Sequence, residues 1–316
     1  MTPRLNFLLL ALGLLFGLPF YWLLLENPGR NAAPHPVSIT RLRTLADSIP
    51  GQRPDRVQVI ASGAKRVPGN FYAAGSGMRR RLFAVMSFRL PVPGAGPVII
   101  DTGTTAAMGK AAHLENFLAG QQREIDASLA AASLILATSE QPLHLGGLAA
   151  FAARSGAAVP LAHARLNARQ VPRRAGNGLN PQKHIPPEHL PWPTTLVLRP
   201  AITGPEPQAM APGVVVIPTG RPVPGAQMVY VRLAGGREYL FAGDVAPFRT
   251  SLDELRVRSN LHNWFGPRED RKAAMRWLIT LAALQREAPG LVIVPGHDYE
   301  MLTDPEVRAG VDSIVL

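Results

Sequence analysis

Four segments of this 316-residue chain set polar side chains directly after an apolar run: VIIDTGTT (98–105), ILATSEQPLHLGGL (135–148), YLFAGD (239–244) and VIVPGHD (292–298). Short apolar runs of this kind read as buried strands, and the residues just past a buried strand are where layered α/β folds build their sites. The chain has no cysteine. Thiolate nucleophiles, disulfides, Cys-ligated zinc and iron–sulfur clusters are therefore excluded, and a metal could be held only by histidine and carboxylate.

Elements of the right kind flank these segments. Val57–Ile60, Arg81–Leu90, Val98–Ile100, Ser133–Ala137 and Val159–Ala162 read as strands, and Thr105–Leu118 and Leu148–Arg154 as helices. Farther on, Val214–Ile217, Met228–Leu233, Glu238–Ala242 and Leu291–Val294 read as strands, the second and third joined as a hairpin across Ala234–Arg237. Asp270–Glu287 carries Ala274, Trp277, Leu278, Leu281 and Leu284 at helical spacing, which predicts a core-facing helix. Residues 166–212 are rich in Pro, Arg and Asn and too long for an ordinary connector, so a surface insertion or lid is expected there.

Ahead of the strands lies a different kind of segment. Phe7–Leu25 runs about 19 residues without a charge, about 28 Å as a helix, enough to cross a hydrocarbon core. The apolar run is longer than the roughly 7–15 residues of a cleavable signal, and Glu26-Asn27-Pro28 follows it in place of a small-residue cleavage site. Residues 1–28 are read as a transmembrane signal anchor with Tyr21 and Trp22 near its interface, 29–56 as a juxtamembrane tether, and 57–316 as the domain. A single-pass membrane protein follows, with the domain on the periplasmic or extracytoplasmic side. The 29 glycines and 31 prolines stay below the roughly 25–30% that suggests disorder, and 47% hydrophobic content supplies a core. The net charge of +11 favours anionic lipid or nucleic acid without choosing between them; Arg79–Arg81 and Arg173-Arg174 are the compact basic runs.

Taken in chain order, the four segments, with TGRPVPGAQ (219–227), resemble those of the metallo-beta-lactamase fold superfamily over about residues 57–300. The resemblance implies a four-layer αββα sandwich (α/β, α+β) preceded by the transmembrane helix. In active members, the segment after the Asp-Thr-Gly strand reads T-H-x-H-x-D-H-x-G-G and supplies ligands to two metals. Here Thr138, His144, Gly146 and Gly147 keep the frame, but Ser139 and Gln141 replace two histidines, Leu143 replaces the aspartate, and Pro222 stands where the first site's third histidine belongs. The first metal site is thereby dismantled. The resemblance leaves His144, Asp244 and His297 as ligands of the second, and Asp101 either braces the metal loop or caps the strand end at the Thr102-Gly103 turn. Two histidines and a carboxylate form a legitimate catalytic zinc set, able to lower the pKa of bound water to about 7 and to polarise a carbonyl.

Two functions follow. One is a divergent metal-dependent hydrolase of a small ester, lactone, thioester or amide, holding at most one divalent cation, zinc first. The other is a metal-free pseudoenzyme that serves as a binding or scaffold module at the membrane, with Leu143 filling the old metal space. Nucleic-acid processing draws support from charge alone and lacks the ligands it would need. Glu140 and Asp298 flank the segments as general-base candidates; His163 reads as structural, and His184, His189 and His262 as loop histidines near a substrate path.

Overall fold

The computed structural model describes residues 3–172, 190–220, 223, 225–303 and 311–315. Its elements, in order, are α1 (Pro3–Leu25), α2 (Ile39–Ala46), β1 (Val57–Pro68), α3 (Gly69–Tyr72), β2 (Arg80–Val92), β3 (Ala95–Ile100), α4 (Ala106–Ala111) and β4 (Asn116–Phe117). There follow α5 (Ala119–Ala131), β5 (Leu134–Leu136), α6 (Pro142–Phe151), α7 (Ala158–Ala162), β6 (Gln208–Ala211), β7 (Val214–Pro218), β8 (Gln227–Arg232) and β9 (Glu238–Gly243). The last are α8 (Arg249–Asp253), α9 (Asn260–Phe265), α10 (Arg271–Glu287), β10 (Leu291–Pro295) and β11 (Val311–Val315).

Period-two alternation builds the layers. Val214 and Val216 of β7 join Val229, Val231 and Phe241 in a core shared with Val59, Met86, Phe88 and Ile100 of the other sheet. Val215 and Ile217 face the opposite way, onto Trp277, Leu278 and Leu281 of α10. One sheet runs β11-β1-β2-β3-β5, with β4 paired to β1; the other runs β10-β9-β8-β7-β6. The pairs β1/β11, β3/β5 and β9/β10 are parallel and the rest antiparallel. Helices α5, α6 and α7 cover the first sheet through Ile125, Leu129, Leu145, Leu148 and Leu161. The result is the expected mixed αββα sandwich. The β8–β9 hairpin and α10, capped by Asp270 accepting from the Ala273 amide at 3.1 Å, fall where expected.

Several segments depart from the reading of the sequence. Val159–Ala162 is the helix α7, not a strand: Pro160 lies in its first turn, where a missing N–H costs nothing. The helix expected over Thr105–Leu118 stops at Ala111, because His113 takes a left-handed φ of 57° and turns the chain into β4. Helix α6 starts at Pro142, six residues earlier than expected, and so carries Leu143 and His144 in its first turn. The stretch 29–56 is not free chain, since Ile39, Leu42 and Ala46 of α2 are buried against Val215 and Tyr230. Within 166–212, Leu166, Val171 and Leu190 pack beneath the first sheet and β6 edges the second. Arg173, Arg174, His184 and His189 lie outside the described residues.

Candidate metal centre

Three strand ends and one helix start meet at one edge of the sandwich. Asp101 follows β3, Asp244 follows β9, His297 follows β10, and His144 sits in the first turn of α6. All four are buried. His144 Nε2 and His297 Nε2 lie 3.1 Å apart, and the Asp244 carboxylate offers Oδ2 to His144 Nε2 and Oδ1 to His297 Nε2, both at 3.5 Å.

Each imidazole is fixed from behind. His144 Nδ1 lies 2.9 Å from Asp101 Oδ2, and His297 Nδ1 lies 2.9 Å from the Ala84 carbonyl. Both partners are acceptors, so in the neutral rings the proton resides on Nδ1 and the Nε2 lone pairs face each other. Asp101 is held in turn: its Oδ1 accepts from the Thr138 amide and its Oδ2 from the Thr138 hydroxyl, each at 2.7 Å, and Ser87 Oγ donates to its carbonyl at 2.6 Å. Its φ of 61° is a strained conformation for a non-glycine residue, sustained here by those bonds. The His297 ring also stacks on Phe83 at 3.8 Å between centroids.

Arg258, not singled out in the sequence, enters this centre. It is 5% exposed, and its guanidinium donates to Asp244 Oδ1 at 2.6 Å, to the Asp244 carbonyl at 2.7 Å and to Glu269 Oε2 at 2.9 Å. Burial would raise Asp244, yet His144, Arg258 and His297 together hold it well below the ordinary carboxylate range. Burial would lower His144, but Asp101 and Asp244 lift it above an ordinary histidine; burial, helped by His144, keeps His297 below, against the pull of Asp244. Around the two imidazoles, the carboxyl groups of Asp101, Asp244 and Glu269 are gathered with the Arg258 guanidinium.

The donor set fits a tetrahedral cation. Zinc–ligand bonds of about 2.0–2.1 Å at the tetrahedral angle put ligand atoms about 3.3 Å apart; the two Nε2 atoms lie 3.1 Å apart, each 3.5 Å from a different Asp244 oxygen, and one donor atom from each of the three residues falls within 4.8 Å of the others. A cavity of about 470 Å³ opens onto the centre, walled by Phe71, Tyr72, Phe83, Leu143, His262 and Phe265 and polar at its floor.

No protein-family model matches the chain, and no curated protein matches its sequence. Solved structures do match its shape. A quorum-quenching N-acyl homoserine lactone lactonase superimposes with a TM-score of 0.58 at 15% identity, covering 79% of this chain and 94% of the other. An N-acyl homoserine lactone hydrolase with N-hexanoyl-L-homoserine bound at its catalytic metal center gives 0.59 at 14% identity over 79% and 96%. A probable metal-dependent hydrolase from Staphylococcus aureus gives 0.51 at 12% identity over 78% and 91%. The chain has the metallo-beta-lactamase fold.

Against the metallo-beta-lactamase fold, the substituted positions separate. Gln141 and Leu143 line the cavity, while Ser139 is fully buried and its hydroxyl accepts from the Gln141 amide at 3.3 Å. Leu143 also packs against the cluster of Val67, Tyr72, Phe83 and Phe248, so an apolar contact stands where the resemblance leads one to expect a carboxylate. Pro222 lies outside the described residues. Neither general-base candidate lines the cavity: Asp298 accepts from the Arg249 and Met301 amides at 2.8 and 3.3 Å, and Glu140 is buried beside Gly225, 3.8 Å from Arg169. His262 does line it, buried against Phe71 and Tyr72 at 5.0 Å from each, and its pKa falls to about 3 through burial and the charge of Arg258. His163, at the end of α7, is not part of the wall. Lys65, Tyr72 and Arg258 are wall residues the sequence left unmarked; none carries a motif that separates it from the many other basic and aromatic residues.

Proposed function

We propose that this chain is a membrane-anchored hydrolase-like protein that keeps one cation site, built from His144, Asp244 and His297, for a small ester, lactone, thioester or amide. The observation that carries this reading is the pair of facing Nε2 lone pairs at 3.1 Å beside a carboxylate: two acceptors so close, each with its proton held on Nδ1, call for a cation between them. The lactonase and metal-dependent hydrolase neighbours support the same reading at the level of fold.

A divalent metal in this set supplies Lewis acidity and an acidified water at neutral pH. The protein's own residues do the rest. Asp101 holds His144 in the tautomer that presents Nε2, and the Ala84 carbonyl does the same for His297. Arg258 neutralises Asp244 through its Oδ1, and its buried Nε, which lacks an acceptor among the described residues, is a donor for a substrate oxygen at the cavity floor. The aromatic wall excludes water and receives an apolar acyl part.

The guanidinium on Asp244 and the apolar Leu143 also favour a second reading, in which the centre is a metal-free binding cavity and the two imidazoles share a proton. Elemental analysis of the full chain in detergent after zinc soaking and desalting separates the two. About one zinc per chain, absent in His297→Ala, is the expected result; none above background overturns the cation site and leaves the binding module. Placement of the domain outside the cytoplasm belongs to the same proposal.

A further inference from the structure

The apolar helix does not end in free chain; its last turn is bonded to α9, the helix that also carries the cavity residues His262 and Phe265. The Asn260 amide donates to the Trp22 carbonyl at 2.7 Å and to Glu26 Oε2 at 3.1 Å, and the Gly75 amide donates to the Leu24 carbonyl at 2.9 Å. Asn27 bonds the Leu255 carbonyl and the Val257 amide at 3.0 and 3.1 Å, while Arg271 pairs with Glu26. These contacts fix the exit point of α1 against α9 and the loop after α3.

That same face carries exposed apolar side chains. On α9, Trp264 and Phe265 are 69% and 78% exposed, and Phe265 is also a wall residue of the cavity. On the loop after α3, Met78 is 61% exposed and is followed by the exposed Arg79 and Arg80. Folded chains place their large aromatics inside unless something else covers them.

Distance along the chain says what covers them. Trp22 precedes Leu25 by three residues, about 4.5 Å of helical rise, so Asn260 sits at the level where α1 leaves the hydrocarbon. Phe265 lies five residues on in the same helix, so whichever way α9 points it is no more than about 7.5 Å of helical rise from that level, comparable to the interfacial layer of about 5–8 Å on each side of a bilayer. Exposed Trp and Phe beside Arg, at that depth, match the chemistry of the headgroup zone.

We propose that α9 and the loop after α3 rest in the interfacial layer of a lipid bilayer, with Trp264, Phe265 and Met78 immersed and Arg79 and Arg80 at the headgroups. The cavity mouth at Phe265 then opens to the membrane surface, and a ligand reaches His144, Asp244 and His297 from the lipid side. The inference rests on reading α1 as a membrane helix; it does not depend on whether the centre is catalytic.

Because the chain has no cysteine, one introduced cysteine is labelled uniquely. Phe265→Cys and, as a second reporter, Trp264→Cys carry the environment-sensitive NBD fluorophore in the full chain reconstituted into phosphatidylcholine–phosphatidylglycerol vesicles. Gly235→Cys is the reference, since a side chain there meets nothing within 4 Å and the β8–β9 hairpin is at the opposite end of β9 from Asp244. Doxyl-labelled lipid is expected to quench positions 264 and 265 about twofold or more above position 235; equal quenching in chains that float with the vesicles overturns the interfacial face and leaves the anchor standing. Failure to float overturns the anchor itself, and this inference with it.

Discussion

At the residue scale, the centre depends on acceptors that aim imidazoles. Asp101→Asn keeps the shape of the side chain but removes the charge that His144 Nδ1 and the Thr138 amide and hydroxyl all address. Losing such a supporting carboxylate costs roughly 10–100-fold in metal affinity, so zinc titration of the full chain should show weakened binding in Asp101→Asn with stoichiometry retained. An affinity equal to the wild type would remove Asp101 from the centre. His262 makes a different prediction. Its folded pKa of about 3 lies below the unfolded value of 6.5, so between these values the unfolded chain binds the extra proton and stability falls as pH falls. The slope is about 1.4 kcal/mol per pH unit, or about 2 kcal/mol between pH 6.5 and 5, fully regained above 6.5. His262→Phe replaces a ring whose Nδ1 has no partner among the described residues with one suited to Phe71 and Tyr72, and should flatten that acid limb in urea titrations at the two pH values. An unchanged limb would mean that His262 titrates normally.

At the element scale, α6 reaches the centre only because Gly146 and Gly147 let it lie on the loop after β3. A Cβ on Gly147 would stand 1.8 Å from the Thr102 carbonyl oxygen, a backbone atom that cannot step aside. Gly147→Ala is therefore expected to cost about 3 kcal/mol or more in urea unfolding, while Gly235→Ala, with open space around it, stays within about 0.5 kcal/mol; equal midpoints would contradict the packing. The same region marks the limit of what the sequence discloses. The strand ends were legible, because an apolar run followed by a polar group leaves a local trace; His144, Asp244 and His297, which the structure brings together, were singled out by the resemblance of the segments taken in chain order. Helix α5 was not, since its buried face includes Gln122, Asp126 and Ser128, which bond Thr102, Arg154 and Arg89 instead of forming an apolar stripe. Nor was Arg258 legible: among 33 basic residues, nothing local distinguishes the one that folds under Asp244.

At the scale of the whole molecule, two forces could hold the chain at a membrane, and they respond oppositely to salt. The net charge of +11 gives attraction to anionic headgroups worth about 1 kcal/mol per basic residue at the surface, and at about 1 M salt, where the screening length is about 3 Å, that attraction is gone. The helix Pro3–Leu25, whose most apolar 18 residues have a mean hydropathy of 2.3 and are not buried in the protein, has its apolar side chains available to lipid, and that term is not screened. The docking of Glu26, Asn27 and Trp22 onto the domain also gives the segment just past the helix a folded role that cleavage within it would forfeit. Membranes from cells expressing the full chain should therefore retain it through high salt and alkaline carbonate, with peptides from residues 3–25 recovered in the pellet by mass spectrometry. Release by salt would assign the attachment to charge. A retained chain lacking those peptides would identify the helix as a cleaved leader, and the domain would then hold to the bilayer through α9 and its aromatic pair.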